Sequence, residues 1–334
     1  MLKIISQKTQ QKQIVTLIYR WGGAFLVALL PAFAVAQSYP NKPVRMVVPF
    51  PPGGGIDVTA RILAQRLTER TGQSFIVDNR SGASGIIGTE FAVKAPPDGY
   101  TLLVGSQTTH AVVPAIYKVN YNTARDLIGV TEIAKSPMLL LVHPHLPVKS
   151  AGDLIKLARA RPGQLTFGAA HGATIHLAAE LFKIMAKIDM MLIPYKGEGP
   201  AIVDVMGGQV MLMFSNIPVS LSQAKSGRLR VLGVTSAQRV ATLPEVPTIA
   251  ESGLPGYEAA TWFGMFAPSG VPREIIAKLN ADAVAGLNAA EVKERMASQG
   301  YFVIASGVEP FAEFISKEIP RWAKVVKEAN ITPQ

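Results

Sequence analysis

Three glycines in a row, Gly53-Gly54-Gly55, carry the clearest chemical potential in this 334-residue sequence. They follow a rigid Pro51-Pro52 and precede Ile56, Ala60, Leu63 and Leu67, apolar residues at helical spacing, with Gly72 as the stop. A glycine turn that opens a helix leaves backbone N–H groups unshielded, and the helix end adds roughly half a positive charge. That combination binds anions, although an ordinary βα loop has the same grammar. The pattern is neither G-x-G-x-x-G nor a P-loop, because no Lys-Ser/Thr follows the last glycine. A second copy lies far downstream: an apolar run Leu165–Gly168, a loop Ala169–Ala173 containing Gly172, and a helical face from Thr174 through Leu177, Leu181 and Met185. Two such helix starts, one in each half, can face each other and clamp an anion from both sides. Thr174 can cap its helix or bind.

Other constellations are less complete. Ser106–His110 (SQTTH) sits at the carboxyl end of an apolar run, the edge where open α/β sheets hold ligands. Ser and Thr also cap helices, so both readings stand. The five histidines are His110, His143, His145, His171 and His176. His143-Pro144-His145 has alternating spacing that could pair on a metal, but H-E-x-x-H is missing, and His171 and His176 at i, i+5 do not share a helical face. Asp57 reads as a helix cap rather than half of a carboxylate pair. With no G-x-S-x-G and no assembled acid, base and nucleophile, no enzyme is expected, and no cofactor or metal. The absence of cysteine excludes disulfides, thiolate metal sites, cysteine nucleophiles and a lipid-modified N-terminal cysteine.

The elements that position these residues alternate. Strands are expected at Arg45–Pro49, Ser74–Asp78, Tyr100–Gly105, Met138–His143, Leu165–Gly168, Leu192–Tyr195, Val210–Ser215, Arg228–Thr235, Ala260–Pro268 and Tyr301–Ile304. Helices intervene, among them Ala151–Arg161, Pro272–Leu287 and the amphipathic Pro310–Lys327, while Leu243–Tyr257 reads as an ordered irregular loop. Alternation of this kind implies α/β architecture with parallel strands.

The net charge is +10, but Lys3, Lys8, Lys12 and Arg20 supply four of that, and the rest is scattered, so nucleic acid is not expected as a partner. Residues 1–36 have basic residues first, an apolar run from Trp21 to Phe33, then Ala34-Val35-Ala36 before Gln37. This reads as an export signal cleaved near Ala36 rather than a membrane anchor, the uninterrupted run being too short to span comfortably. Without a lipidated cysteine, the expected location is the periplasm.

Taken together, Tyr39–Arg61, Ala95–Leu103, Phe167–Phe182, Pro194–Asn216 and Leu243–Pro272 resemble the tripartite tricarboxylate transporter receptors, or Bug proteins, in the same order along almost the whole mature chain. The resemblance implies a type II periplasmic-binding-protein fold, a Venus flytrap of two α/β lobes joined by crossover strands near Ser136–Leu141 and Tyr257–Gly264. Lobe one is then 37–137 plus 261–334, and lobe two 138–260. It also implies a small carboxylate ligand, delivery to a two-subunit integral membrane permease, and a monomer. The alternative is a ligand-sensing receptor that passes its closed state to a signalling partner. Matched residue by residue, ligand contacts fall on Phe50, Pro52, Gly53, Gly54, Gly55 and Asp57, on Ser106, Thr108 and His110, on Gly172, Ala173, Thr174 and His176, and on Tyr195, Asn216 and Trp262. Two departures stand out. Ala173 replaces the usual Ser or Thr, and Ser215 replaces a common Asp, which predicts a less negative cleft. His171 lies at a variable position and is a further candidate for specificity.

Overall fold

The computed structural model describes residues 39–195 and 197–333. The export signal expected at 1–36 lies outside them. Strand β1 (Val44–Val48) buries four of its five residues. It pairs in parallel with β2 (Phe75–Asn79) on one side and β3 (Thr101–Ser106) on the other. Helix α1 (Gly55–Thr71) crosses between β1 and β2, and α2 (Ile86–Val93) between β2 and β3. Gly72 ends α1 in the left-handed conformation, φ 71°, with its N–H on Thr68 O, a geometry that costs a glycine little.

Beyond β3 a single π-turn, Thr108–Val112, runs into short helices α3 (Val113–Ile116) and α4 (Thr123–Asp126). Then comes β4 (Leu127–Val142), 16 residues long, of which only the last part was expected. The strand runs through Gly129 and Pro137. Up to Pro137 it pairs with β9 (Ala260–Pro268), and from Met138 onward with β7 (Leu212–Asn216) and β8 (Arg230–Val234).

One strand therefore belongs to two sheets. The first has the order β2-β1-β3-β9-β4, with β10 (Phe302–Val303) on β4; the second joins β8 and β4 to β7, β5 (Thr166–Ala170) and β6 (Met191–Tyr195). Pairings of β4 with β7, β8, β9 and β10 are all antiparallel, as is β3 with β9, so the expectation of parallel strands throughout is corrected to a mixed arrangement. The reason is topological: a chain that leaves one sheet through β4 and returns through β9 must run back along itself. Because β4 is shared, Lys42–Gln334 forms one compact unit.

Helices α5 (Ala151–Ala160), α6 (Thr174–Ala186), α7 (Glu198–Met206) and α8 (Ile217–Lys225) cover the second sheet, and α9 (Arg273–Leu287), α10 (Ala290–Ser298) and α11 (Val308–Glu328) follow β9. Helix α11 serves both cores. Its Phe311 and Ile315 pack with Trp262 and Phe266, while Trp322, Val325 and Val326 pack with Phe182, Phe214 and Tyr257. Between the two sets, the buried Glu318 carboxylate accepts the indole N–H of Trp262 (3.2 Å) and of Trp322 (2.7 Å).

Candidate functional site

The two glycine loops are built alike. Each carries a glycine with positive φ, Gly53 at 88° and Gly172 at 69°. In each the next residue is the N-cap, Gly54 (φ −76°, ψ 166°) before α1 and Ala173 (φ −75°, ψ 162°) before α6. The third helical residue then reaches back: Gly53 N–H donates to Asp57 Oδ2 at 2.9 Å, and Gly172 N–H to His176 Nδ1 at 3.0 Å. Neither N-cap side chain caps its helix. The first helical bonds are Val58 N–H to Gly54 O and Leu177 N–H to Ala173 O. The amides of 55–57 and of 174–176 therefore have no carbonyl one turn back, three N–H groups at the positive end of each dipole.

Asp57 is thus not the cap that its position suggested. It is buried, and besides Gly53 it accepts Asn79 Nδ2 (2.9 Å) and Arg61 Nε (2.9 Å). Burial works against its charge, but the bonds from Arg61, Gly53 and Asn79 outweigh it and hold the carboxyl below the usual range. Asn79 also donates to Phe50 O at 3.0 Å, so the whole turn is braced from beneath.

Two cavities of about 770 and 420 Å³ adjoin, sharing Phe50, Thr108, Thr174, Glu198 and Asn216 in their walls. Pro52, Gly53, Gly54, Gly55 and Ser106 line the larger one; Gly172 and Ala173 line the smaller. Both helix starts open on this space. A Cβ on Gly55 would meet Tyr301 Oη at 2.9 Å and Phe263 Cζ at 3.3 Å, so the loop touches its opposite wall only because that residue is glycine. Thr108 Oγ1 and Thr174 Oγ1, from the two sequence halves, lie 3.3 Å apart.

Five of the expected ligand residues lie elsewhere. Asp57 and His176 brace their loops from inside. His110, two residues past Thr108 on the π-turn, is fully buried, its ring stacked on Phe266 at 3.9 Å with Nδ1 2.9 Å from Thr109 Oγ1. Burial pushes its pKa down to about 3. Tyr195 donates its hydroxyl to Asp204 Oδ2 at 2.6 Å, and burial together with that carboxylate raises its pKa to about 12. Trp262 sits on the wrong face of β9. Successive strand residues alternate, so Thr261 and Phe263 line the larger cavity while Trp262 joins the aromatic core with Phe311.

Residues that sequence reasoning missed include Phe263, Tyr301 and above all Glu198. Strand parity around Trp262 could have found the first; Glu198 was passed over in a short polar connector. Its carboxylate accepts Ser215 Oγ (2.6 Å), Asn216 N–H (2.5 Å) and Asn216 Nδ2 (2.9 Å). An acid, Glu198, therefore stands beside Ser215 in the cleft wall. Burial pushes the Glu198 carboxyl up. His171 lines the smaller cavity, with Nε2 3.0 Å from Thr332 O. Among the described residues no group of three His, Cys, Asp or Glu could hold a metal ion; His143 and His145 lie edge to face at 4.8 Å without a third ligand.

The model for the tripartite tricarboxylate transporter family receptor matches residues 59–331. Protein BugT of Bordetella pertussis is 40% identical over 298 residues, 88% of this chain and 91% of that protein. Among solved structures, Rpa4515 of R. palustris with adipate is 41% identical with a TM-score of 0.77, covering 89% of this chain and all of the other. MatC of Rhodopseudomonas palustris with bound malate is 31% identical with a TM-score of 0.73, covering 86% of this chain and all of that one. The chain belongs to the tripartite tricarboxylate transporter receptor family.

Proposed function

We propose that this receptor captures a small carboxylate between two lobes in the periplasm and hands it to a two-subunit membrane permease. The observation that carries the reading is the duplicated helix start. Four residues of the two first turns, Gly55 and Ile56 from one helix and Thr174 and Ile175 from the other, line one cleft whose described walls contain no Lys or Arg. Oriented amides bind an anion without a cationic side chain, since the dipoles are fixed and need no reorganisation on binding. The relatives solved with adipate and malate agree with that chemistry.

In this reading lobe one comprises 37–137 with 261–334, and lobe two 138–260. Support comes from the exchange of β4's partners between Pro137 and Met138. Closure brings Thr108 and Thr174 together over the ligand, and the ligand shifts the population toward the closed form in proportion to its preference for that form. The protein acts as a monomer, and the closed form is what the permease recognises.

The test is a thermal-shift screen of the chain from Gln37 onward against mono-, di- and tricarboxylates. A ligand that binds the folded state alone at a hundredfold excess over its Kd adds about 2.7 kcal/mol of stability. A concentration-dependent rise confined to carboxylates is the expected result. Silence across the set, in protein shown by mass spectrometry to carry no ligand, would overturn the proposal.

A further inference from the structure

Glu198 gives the cleft a second recognition element that the helix starts do not explain. It is the one residue shared by both cavities that carries a formal charge, and no other Asp, Glu, Lys or Arg among the described residues lines either cavity. Its three donors, Ser215 Oγ, Asn216 N–H and Asn216 Nδ2, are all neutral. They fix the carboxylate in its acceptor form without cancelling its charge. Among the described residues, which do not include Lys196, it makes these three hydrogen bonds and no ion pair. A half-buried carboxylate in that condition is costly unless a cation completes the pair, because neutral hydrogen bonds offset only part of the lost hydration. Three donors occupy three of the roughly four acceptor sites on the two oxygens, leaving capacity on Oε2.

We infer that Glu198 is a specificity residue that receives an ammonium group of the ligand, so that the preferred carboxylate is a zwitterionic amino acid with an uncharged side chain. This rests on the carboxylate-receptor reading above. The ligand carboxylate lies at the helix starts, where the amides supply the positive field. The ammonium faces Glu198, where the only formal charge in the described wall is negative. The side chain extends into the smaller cavity, walled by Val112, Val113 and Ile116. A second carboxylate on the ligand would bring like charge toward Glu198, so dicarboxylates are the disfavoured class in this particular chain.

The experiment is isothermal titration at pH 8 with three matched pairs: alanine and propionate, leucine and 4-methylpentanoate, phenylalanine and 3-phenylpropionate, with adipate alongside. In the wild type at least one amino acid should bind roughly tenfold or more tighter than its des-amino partner, the range expected when a charge-assisted bond is lost. In Glu198→Gln that preference should collapse while adipate binds more tightly. A melting curve establishes that the variant folds, and the wild-type pairs test the inference even if it does not. Adipate or des-amino acids binding more tightly than every amino acid would overturn the inference and leave the carboxylate receptor standing. An amino-acid preference that survives Glu198→Gln would overturn the role of Glu198 alone. Failure of all seven compounds in ligand-free protein would overturn the inference, and a silent carboxylate screen beside it would take the receptor reading too.

Discussion

Gly54→Asp separates binding from folding at the first helix start. Gly54 has φ −76° and ψ 166°, open to any residue, and an added Cβ would meet nothing nearer than Pro51 O at 4.0 Å. It is the N-cap of α1, a position where Asp is favoured over Gly by a few tenths of a kcal/mol. Repulsion from the Asp57 carboxylate below works the other way, so we expect stability to change by less than about 1 kcal/mol. Binding should suffer far more. The new carboxylate would accept the N–H groups of the first turn, the donors proposed for the ligand. At about 5 Å and an effective dielectric of about 20, its repulsion of a bound anion is about 3 kcal/mol, roughly two hundredfold in Kd. Each amide diverted from a charged ligand adds about 1.5 kcal/mol or more. The expected loss is therefore about a thousandfold. The assay is titration calorimetry with the carboxylate that gives the largest shift in the screen, paired with a melting curve. Gly54→Asn is the control: it keeps the shape and the cap without the charge, and should lose only about tenfold. An Asp variant that melts normally and binds within threefold of wild type would refute the assignment of the α1 amides to the ligand.

Two further predictions concern ligand affinity and the pH dependence of stability. The Thr108–Thr174 contact should show up as coupling: in a cycle of Thr108→Ala, Thr174→Ala and the double variant, ligand affinity should reveal an interaction of about 0.5–1 kcal/mol, and strict additivity would mean that the contact does not report on closure. Stability against pH offers the other. Burial pushes Glu132 up to about 7 against the pull of Lys135, so the native state holds an extra proton between about pH 4.5 and 7, and its penalty is absent below that window and complete above it. His110, pushed down to about 3 by burial, has the opposite sign: its penalty is absent above about 6.5 and grows as pH falls. The two slopes offset each other between about 4.5 and 6.5. Glu132→Gln should therefore unmask His110, with stability falling by about 1.4 kcal/mol per pH unit from 6.5 to 4.5 in urea titrations, and a slope equal to wild type would refute the pairing.

What the sequence determined by itself was local. Gly53, Gly54 and Gly172, and the apolar spacing behind them, located both helix starts, since turn chemistry and helical period act within a few residues. The strand Ala260–Pro268 was legible to the residue from its apolar content. That same uniformity hid its orientation. In ATWFGMFAP nearly every residue is apolar, so no alternation tells which face meets the cleft, and only packing against α11 on one side and the first loop on the other turned Trp262 inward and Phe263 toward the cavity. The length of β4 was equally a tertiary decision: Gly129 and Pro137 weaken a strand in isolation, and partners on two sheets outweigh that. Glu198 is the furthest case. In Lys196-Gly197-Glu198-Gly199-Pro200 it looks like a solvated connector charge, and only the arrival of Ser215 and Asn216, 17 and 18 residues later, makes it a fixed carboxylate in the cleft. Local periodicity cannot encode that, because the contact exists only once β7 has been laid against β4 and β5.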